Sequence, residues 1–495
     1  MNRREFLTAT SLAAGAFAAG CSTTATTSAA PRFRPQSRVI GANDDIRVAV
    51  VGFNSRGKDH ISGFKKIKGV RLVALCDVDS EVLAKGRAEL QKDGIQVETF
   101  TDVRKLLERG DIDAISTATP NHWHSLLAVW SCQAGKDVYV EKPVSHNVWE
   151  GAQIVKAARK YGRIVQTGTQ SRSNPGLREA IAWLHAGNLG KVLVARGLCY
   201  KPRQSIGRVS GPTAVPGTID YDLWCGPAPM APLMREKLHY DWHWQFVTGN
   251  GDLGNQGIHQ MDIARWALRE KTLSPFVFSV GGRFGYKDDG DTPNSQFVYH
   301  GYEKAPLIFE VRGLPKSKEF QDNRWAKNMP DYHGAQVGVV IECEGGRMVI
   351  PSYDSAKAFD KSGKEIKSWR EGADHYANFI GAMRSRRNAD LNAEILEGHL
   401  SSALCHTGNI SYQLGSRLAP DAVRERLKGE SMAQETFGRL AEHLGANGVD
   451  IASQPVVLGE RLRMDVSKER FRGNAAANQR LTREYRKGFE VPERV

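Results

Sequence analysis

The seven cysteines, Cys21, Cys76, Cys132, Cys199, Cys225, Cys343 and Cys405, form no C-x-x-C pair and show no zinc-like spacing, which excludes the common thiolate metal sites. Most lie inside apolar runs, where a free thiol behaves as a small hydrophobe. After the N-terminal segment no apolar run is long enough to span a bilayer. The chain has no internal repeat and no low-complexity tract. No nucleic-acid-binding motif accompanies its net charge of +13, so a nucleic-acid partner is not expected. The basic excess is spread out, although "SKERFRGNAAANQRLTREYRKGFE" near the C-terminus is rich in Arg and Lys and reads as a solvated or subunit-packing tail. With 495 residues, 41% hydrophobic and 25% charged, the chain suffices for two or three domains with full cores.

The first residues, "MNRREFLTATSLAAGAFAAGCSTTATTSAAPRF", place Arg3-Arg4 before a short Ala/Gly-rich run. They resemble a twin-arginine export signal over 1–30, followed by a linker over 31–44. "AAGC" resembles a lipoprotein cleavage box, which would make Cys21 a lipidated membrane attachment. Cleavage near Ala30 would instead release a soluble periplasmic protein. The twin-arginine route, as its resemblance implies, exports folded proteins with a cofactor already inside.

"IRVAVVGFNSRG" predicts a strand buried on both faces, running into Gly52, Asn54, Arg56 and Gly57. This is G-x-N-x-x-G, with Asn in place of the second Gly of the dinucleotide fingerprint; Asn tolerates left-handed backbone, so the turn is retained. Asp77 ends the next strand, 25 residues after Gly52, where an acid binds adenosine ribose hydroxyls; the alternative is a helix N-cap. Val78 follows it, offering no partner for a 2′-phosphate, so NAD is expected rather than NADP. Strands at 112–120, 137–143 and 163–169 alternate with helical stretches, which predicts an α/β doubly wound parallel sheet over 45–168. Ligands of such sheets sit beyond the strands' carboxyl ends, where Lys142 lies.

"TATPNHWHSLLAVWSCQAGKDVYVEKPVS" and "GDLGNQGIHQMDIARWAL" resemble signatures of the Gfo/Idh/MocA oxidoreductases. The resemblance runs over about 45–415. It implies a Rossmann domain followed by an α/β domain, acting on sugars. In the first stretch the matching residues include Thr119, Pro120, Asn121, His124, Glu141 and Lys142. By resemblance the lysine of E-K-P meets nicotinamide and substrate, the proline is often in a cis peptide, and His259 is the catalytic histidine. Where many relatives have Asp four residues before that histidine, this chain has Asn255. Asn can orient an imidazole but does not stabilise its cation, so Asp252 or Asp262 is expected to substitute, or the chemistry is not simple dehydrogenation.

From 169 to 420, long partly alternating runs predict a large open, mostly antiparallel sheet, free on one face for a substrate pocket or for subunit pairing. A homodimer or tetramer is expected. Residues 421–495 form a basic extension outside the resemblance. Tyr240, Trp242 and His243 beside a Gly-rich turn fit stacking on a sugar ring, with Asp252 and His259 completing the expected substrate site. His239/His243 and His122/His124 have chelate-like spacing, but no completing ligands are evident, so no metal is expected. The leading expectation is an exported, tightly NAD-bound sugar or cyclitol oxidoreductase. Two alternatives remain open: a redox-neutral NAD-dependent glycoside hydrolase, and a catalytically silent sugar or NAD binder.

Overall fold

Every residue of Ile46–Val51 (β1) except Arg47 is buried, because helices cover both faces of the sheet it centres. The computed structural model describes Phe33, Gly41 and residues 44–495 apart from Asn323; the expected export signal, Cys21 and most of the linker lie outside the described residues. With Val70–Cys76 (β2), Glu98–Phe100 (β3), Ala114–Thr117 (β4), Asp137–Val140 (β5) and Val165–Thr167 (β6), β1 forms a six-stranded parallel sheet in the order β3-β2-β1-β4-β5-β6. The connecting helices are Gly57–Lys65 (α1), Ser80–Lys92 (α2), Val103–Leu107 (α3), Asn121–Gln133 (α4) and Val148–Lys160 (α5). Asp79, Asp102 and Asn147 cap α2, α3 and α5 by accepting backbone N–H groups. The strand order reverses between β1 and β4, which opens a crevice beyond their carboxyl ends.

The second domain begins with Pro175–His185 (α6) and Val192–Tyr200 (β7). After a long arm carrying Tyr221–Cys225 (α7) come Ile258–Leu268 (α8), Phe276–Gly282 (β8), Ser295–His300 (β9) and Leu307–Arg312 (β10). Val337–Cys343 (β11), Gly346–Ile350 (β12), Ser355–Asp360 (β13) and Glu365–Arg370 (β14) extend the sheet, followed by His375–Ser385 (α9) and Ile395–Gln413 (α10). The pairing is antiparallel except between β7 and β10. One face packs against α6, α8 and α10 around Leu177, Met261, Leu404, Val339 and Phe309.

The other face is not free. Ser416–Leu418 (β15) leads to Pro420–Arg426 (α11) and Ser431–Ala446 (α12), whose Val423, Phe437, Leu440 and Leu444 cover Phe278, Phe297 and Ile308. Val456–Leu458 (β16) and Leu462–Asp465 (β17) both pair with β8, and Arg470–Phe471 (β18) pairs with β17. After Ala475–Gln479 (α13) the chain returns to the first domain. There the Trp149 amide donates to the Leu481 carbonyl at 2.9 Å. Gln153 Nε2 donates to the Pro492 carbonyl at 2.7 Å, and Phe489 packs with Trp123 and Trp130. The tail expected to be solvated or subunit-packing is therefore folded onto its own chain; its aromatic and aliphatic residues outweigh its basic ones in deciding where it sits. Among the described residues no helix is long and apolar enough to cross a membrane, and the six described cysteines are free and buried.

Candidate functional site

A cavity of about 460 Å³ occupies the crevice beyond β1 and β4 and extends to Lys142. Gly52, at φ +72°, turns the chain away from β1; a Cβ there would lie 2.9 Å from the Thr119 amide. At Gly57, a Cβ would lie 2.2 Å from the Gly52 carbonyl. The left-handed residue of the turn is thus Gly52. Asn54 lines the cavity without a positive φ, which corrects the expectation that Asn stands there for its tolerance of left-handed backbone.

Asp77 lines the same cavity. Its carboxylate accepts the amides of Phe53 and Asp79, each at 3.1 Å, so it ties the glycine turn to β2. Burial raises its pKa, and the two amides oppose the rise. The N-cap of α2 is Asp79, which leaves Asp77's remaining lone pairs facing the cavity. Asp77→Ala is expected to weaken NAD binding by about ten- to a hundredfold, since it removes a charged hydrogen-bond acceptor and loosens the turn; equilibrium titration with NAD checks this.

Thr119, Pro120, Asn121 and His124 line the wall from β4 into α4. The Asn121 Nδ2 group is buried with no partner, an unmet donor aimed at the space a nucleotide would fill. The ring nitrogens of His124 lie 2.6 Å from the Pro143 carbonyl and 2.7 Å from the Thr119 carbonyl, which fixes both loops; burial lowers its pKa against those contacts and Glu141.

Glu141 is buried and accepts from Arg56 Nε at 3.0 Å, His60 Nε2 at 3.1 Å and Gln170 Nε2 at 3.3 Å. Burial would raise its pKa, but the His60 bond and the Arg56 charge hold it well below the usual carboxylate range. Lys142 follows through a cis peptide to Pro143. Its Nζ donates to the Asn255 carbonyl at 2.6 Å. Desolvation lowers the pKa of this half-buried ammonium, and Glu141 opposes the shift.

Asn255 lies in a π-helical turn, Leu253–Gly257, that runs into α8. A wider turn than the α-helix directs the Asn255 carbonyl to Lys142 rather than along the helix. One turn on, His259 is buried, its ring 5.0 Å from that of Tyr353 and its Nδ1 without a partner. Burial first, and Lys142 second, lower its pKa to about 3. The structure corrects the expectation that Asp252 or Asp262 orients this ring. Both oxygens of Asp252 are taken by Arg203 at 2.6 and 2.7 Å, and those of Asp262 by Arg172 at 2.7 and 2.9 Å. Asp252, 2% exposed, is therefore a buried ion-pair partner and not a substrate contact. The Asn255 side chain makes no hydrogen bond to His259 either.

Tyr240, Trp242 and His243 reach the cavity from the arm after β7, with the Trp242 and His243 rings stacked at 3.6 Å. The arm is fastened over the crevice: the Ser80 amide donates to the Thr218 carbonyl at 2.9 Å and Asp220 to Val78 at 3.0 Å. His122 holds the arm from below, with Nε2 2.9 Å from the Trp224 carbonyl. Among the described residues no group of three or more His, Cys, Asp or Glu is placed to hold a metal. His60, Gln170 and Tyr353 were not legible in the sequence: each lies in an ordinary helix, turn or strand-end context and acquires its position only through the fold.

Residues 46–169 match the profile described as an oxidoreductase family, NAD-binding Rossmann fold. Residues 191–300 match that of an oxidoreductase family, C-terminal alpha/beta domain. Inositol 2-dehydrogenase 4 of Saccharopolyspora erythraea is 36% identical over 155 residues, 31% of this chain and 45% of that protein. A glycosyl hydrolase family 109 protein of Shewanella sp. strain W3-18-1 is 36% identical over 175 residues, 32% of this chain and 37% of that protein. The chain thus spans less than half the length of these curated relatives. The WlbA dehydrogenase from Bordetella pertussis, in complex with NADH and UDP-GlcNAcA, superposes with a TM-score of 0.53 at 18% identity, covering 73% of this chain and 95% of that one. Levoglucosan dehydrogenase in complex with NADH superposes with a TM-score of 0.55 at 16% identity, covering 74% and 96%. These two likenesses are of fold.

Proposed function

The chain belongs to the Gfo/Idh/MocA oxidoreductase family through residues 46–169 and 191–300, and from that premise we propose that it is an exported NAD-dependent enzyme that moves a hydride to or from a ring carbon of a sugar or cyclitol. One observation carries the reading: the Lys142 ammonium, fixed on the Asn255 carbonyl at 2.6 Å, stands at the end of the cavity that begins at Gly52 and Asp77. The Gly52 turn and the unmet Asn121 donor fit a dinucleotide. Among the described residues the only Lys or Arg side chains lining the cavity are Arg56 and Lys142, and both lie at the Glu141 end. The adenosine end, with Asp77 and Asp102, favours NAD over a 2′-phosphorylated cofactor.

Bound NAD supplies the hydride acceptor. Lys142 has two N–H donors beyond the one given to Asn255, and these polarise the substrate hydroxyl and hold the oxyanion that develops as its O–H bond breaks, before the hydride leaves the ring carbon and the C=O forms. His259 is neutral at pH 7 and takes the hydroxyl proton. No carboxylate hydrogen-bonds its ring, since the oxygens of Asp252 and Asp262 are held by Arg203 and Arg172; its cation is therefore poorly stabilised, and most of the oxyanion stabilisation falls to Lys142. Twin-arginine export of a folded, cofactor-loaded protein belongs to the same proposal. So does a dimer or tetramer built through β13 and β14, whose outward residues are exposed or half-buried.

A second reading, redox-neutral glycoside cleavage by oxidation, elimination, hydration and reduction, is favoured by the arm fastened over the crevice, since a nucleotide kept under it is reused in place. Denatured purified protein is expected to release NAD on mass spectrometry. Added sugars are then expected to raise the reduced-nicotinamide absorbance; release of an aryl alcohol from a chromogenic glycoside without that rise selects the second reading. Protein that takes up no NAD sinks both.

A further inference from the structure

A second groove, of about 390 Å³, adjoins the cofactor cavity and is lined by side chains that hydride transfer does not use. Pro202–Gly207 form one wall; Glu236, Lys237, Asp241 and Trp244 form the other. Tyr240 belongs to both cavities. Its backbone is left-handed, φ +65° and ψ −49°, a conformation a tyrosine adopts only where its surroundings impose it. It is nevertheless 49% exposed, its ring 4.8 Å from His243 on the reacting side and 6.3 Å from Trp244 on the groove side.

The groove's charges are sorted. Arg203 is spoken for: its guanidinium lies 4.8 Å from the centre of the Trp244 ring and bonds both oxygens of Asp252. Glu236, Lys237 and Asp241 make no side-chain hydrogen bond or ion pair among the described residues. Gly207, at φ +81°, brings its backbone against Glu236; a Cβ there would lie 2.3 Å from Oε1. Two free carboxylates and one free ammonium do not suit an anion. They suit vicinal hydroxyls, which donate to carboxylates and accept from an ammonium, while an exposed aromatic face takes the apolar face of a pyranose.

Resting on the hydride-transfer reading for the first ring, we infer that this groove binds a second, neutral sugar ring, so that the substrate class is a glycoside of two or more sugar units. The reacting ring stands at Lys142 and its neighbour stacks on Tyr240, with hydroxyls on Glu236 and Asp241.

The test uses the full-length NAD-bound protein with cellobiose, maltose and lactose, each against the methyl glycoside of its reacting sugar. Saturation-transfer NMR is expected to label protons of both rings of at least one disaccharide. That disaccharide is expected to bind about tenfold or more tightly than its methyl glycoside, and Glu236→Gln with Asp241→Asn is expected to erase the difference. Saturation confined to one ring, equal affinity for disaccharide and methyl glycoside, or equal weakening of both by the double substitution overturns the subsite. So does absence of binding by every disaccharide. Two-ring saturation without nicotinamide reduction or glycoside cleavage leaves the subsite standing and sinks the hydride-transfer reading instead.

Discussion

Lys142→Met is expected to lower kcat/KM by about 10³-fold while leaving NAD content and thermal stability close to those of the parent. Methionine fills the lysine's path between the two domains but carries no donor. The Asn255 carbonyl loses its 2.6 Å partner, yet it borders the cavity, where water replaces the ammonium. The loss is therefore concentrated on the oxyanion. His259→Gln is expected to be milder, about 10- to 100-fold, because an imidazole with an unpartnered Nδ1 and a pKa near 3 is a weak base. The pH dependence separates the two groups. Lys142 acts as the ammonium, so activity is present below its pKa and lost as pH rises through it. Burial lowers that pKa, so the alkaline loss begins below the range of a solvated lysine and vanishes in the methionine variant. His259 stays neutral throughout pH 5 to 8 and contributes no limb there. A variant within tenfold of the parent, or one that keeps the alkaline limb, removes Lys142 from the chemistry.

The first domain was legible because its signals are local. An uninterrupted apolar strand, a Gly at the turn and an acid after the next strand are each within one βαβ unit, and the parallel order follows from alternation. The sugar-facing side was legible only in outline. Asp252 and Asp262 sit at attractive spacings from His259, but spacing does not reveal that Arg203 and Arg172, 49 and 90 residues away, consume both carboxylates. Asn255 drew attention as a missing carboxylate, whereas the structure uses its backbone carbonyl, a role that any residue type could fill. Tyr353 carries no pattern of its own and meets His259 only because β12 ends beside α8. The extension after 420 was least legible. Its Arg and Lys suggested solvent, while the apolar spacing of Ala433, Phe437, Leu440 and Leu444 is that of a helix covering a sheet.

That helix carries the largest expected stability effect. Glu310, on β10, is fully buried and accepts from Arg439 at 2.5 and 2.8 Å, Tyr200 at 2.8 Å, Arg312 at 3.1 Å and Arg196 at 3.4 Å. Burial would raise its pKa, but the guanidinium charges, Arg439 foremost, lower it to about 2. Glu310→Ala leaves three arginines converging on a site with no central carboxylate, only Glu342 and Glu435 at its edge. Breaking a buried pair in this way costs about 3–5 kcal/mol, and the denaturant midpoint is expected to fall accordingly. Glu310→Gln, which keeps volume and part of the bonding, is expected to lose less. The sign with pH follows from the depressed pKa: the contribution is full above the carboxyl's unfolded value and is lost as pH falls toward 2. Amides of residues 431–446 are therefore expected to exchange faster in acid before those of β7 and β10. Chemistry is expected to survive in the molecules that remain folded. The preceding residue, Phe309, points to the opposite face, where it packs against Gly257 in the turn that carries Asn255, and that face keeps its own core. An alanine variant within 1 kcal/mol of the parent, or one whose kcat falls as steeply as its stability, breaks this separation of the two sheet faces.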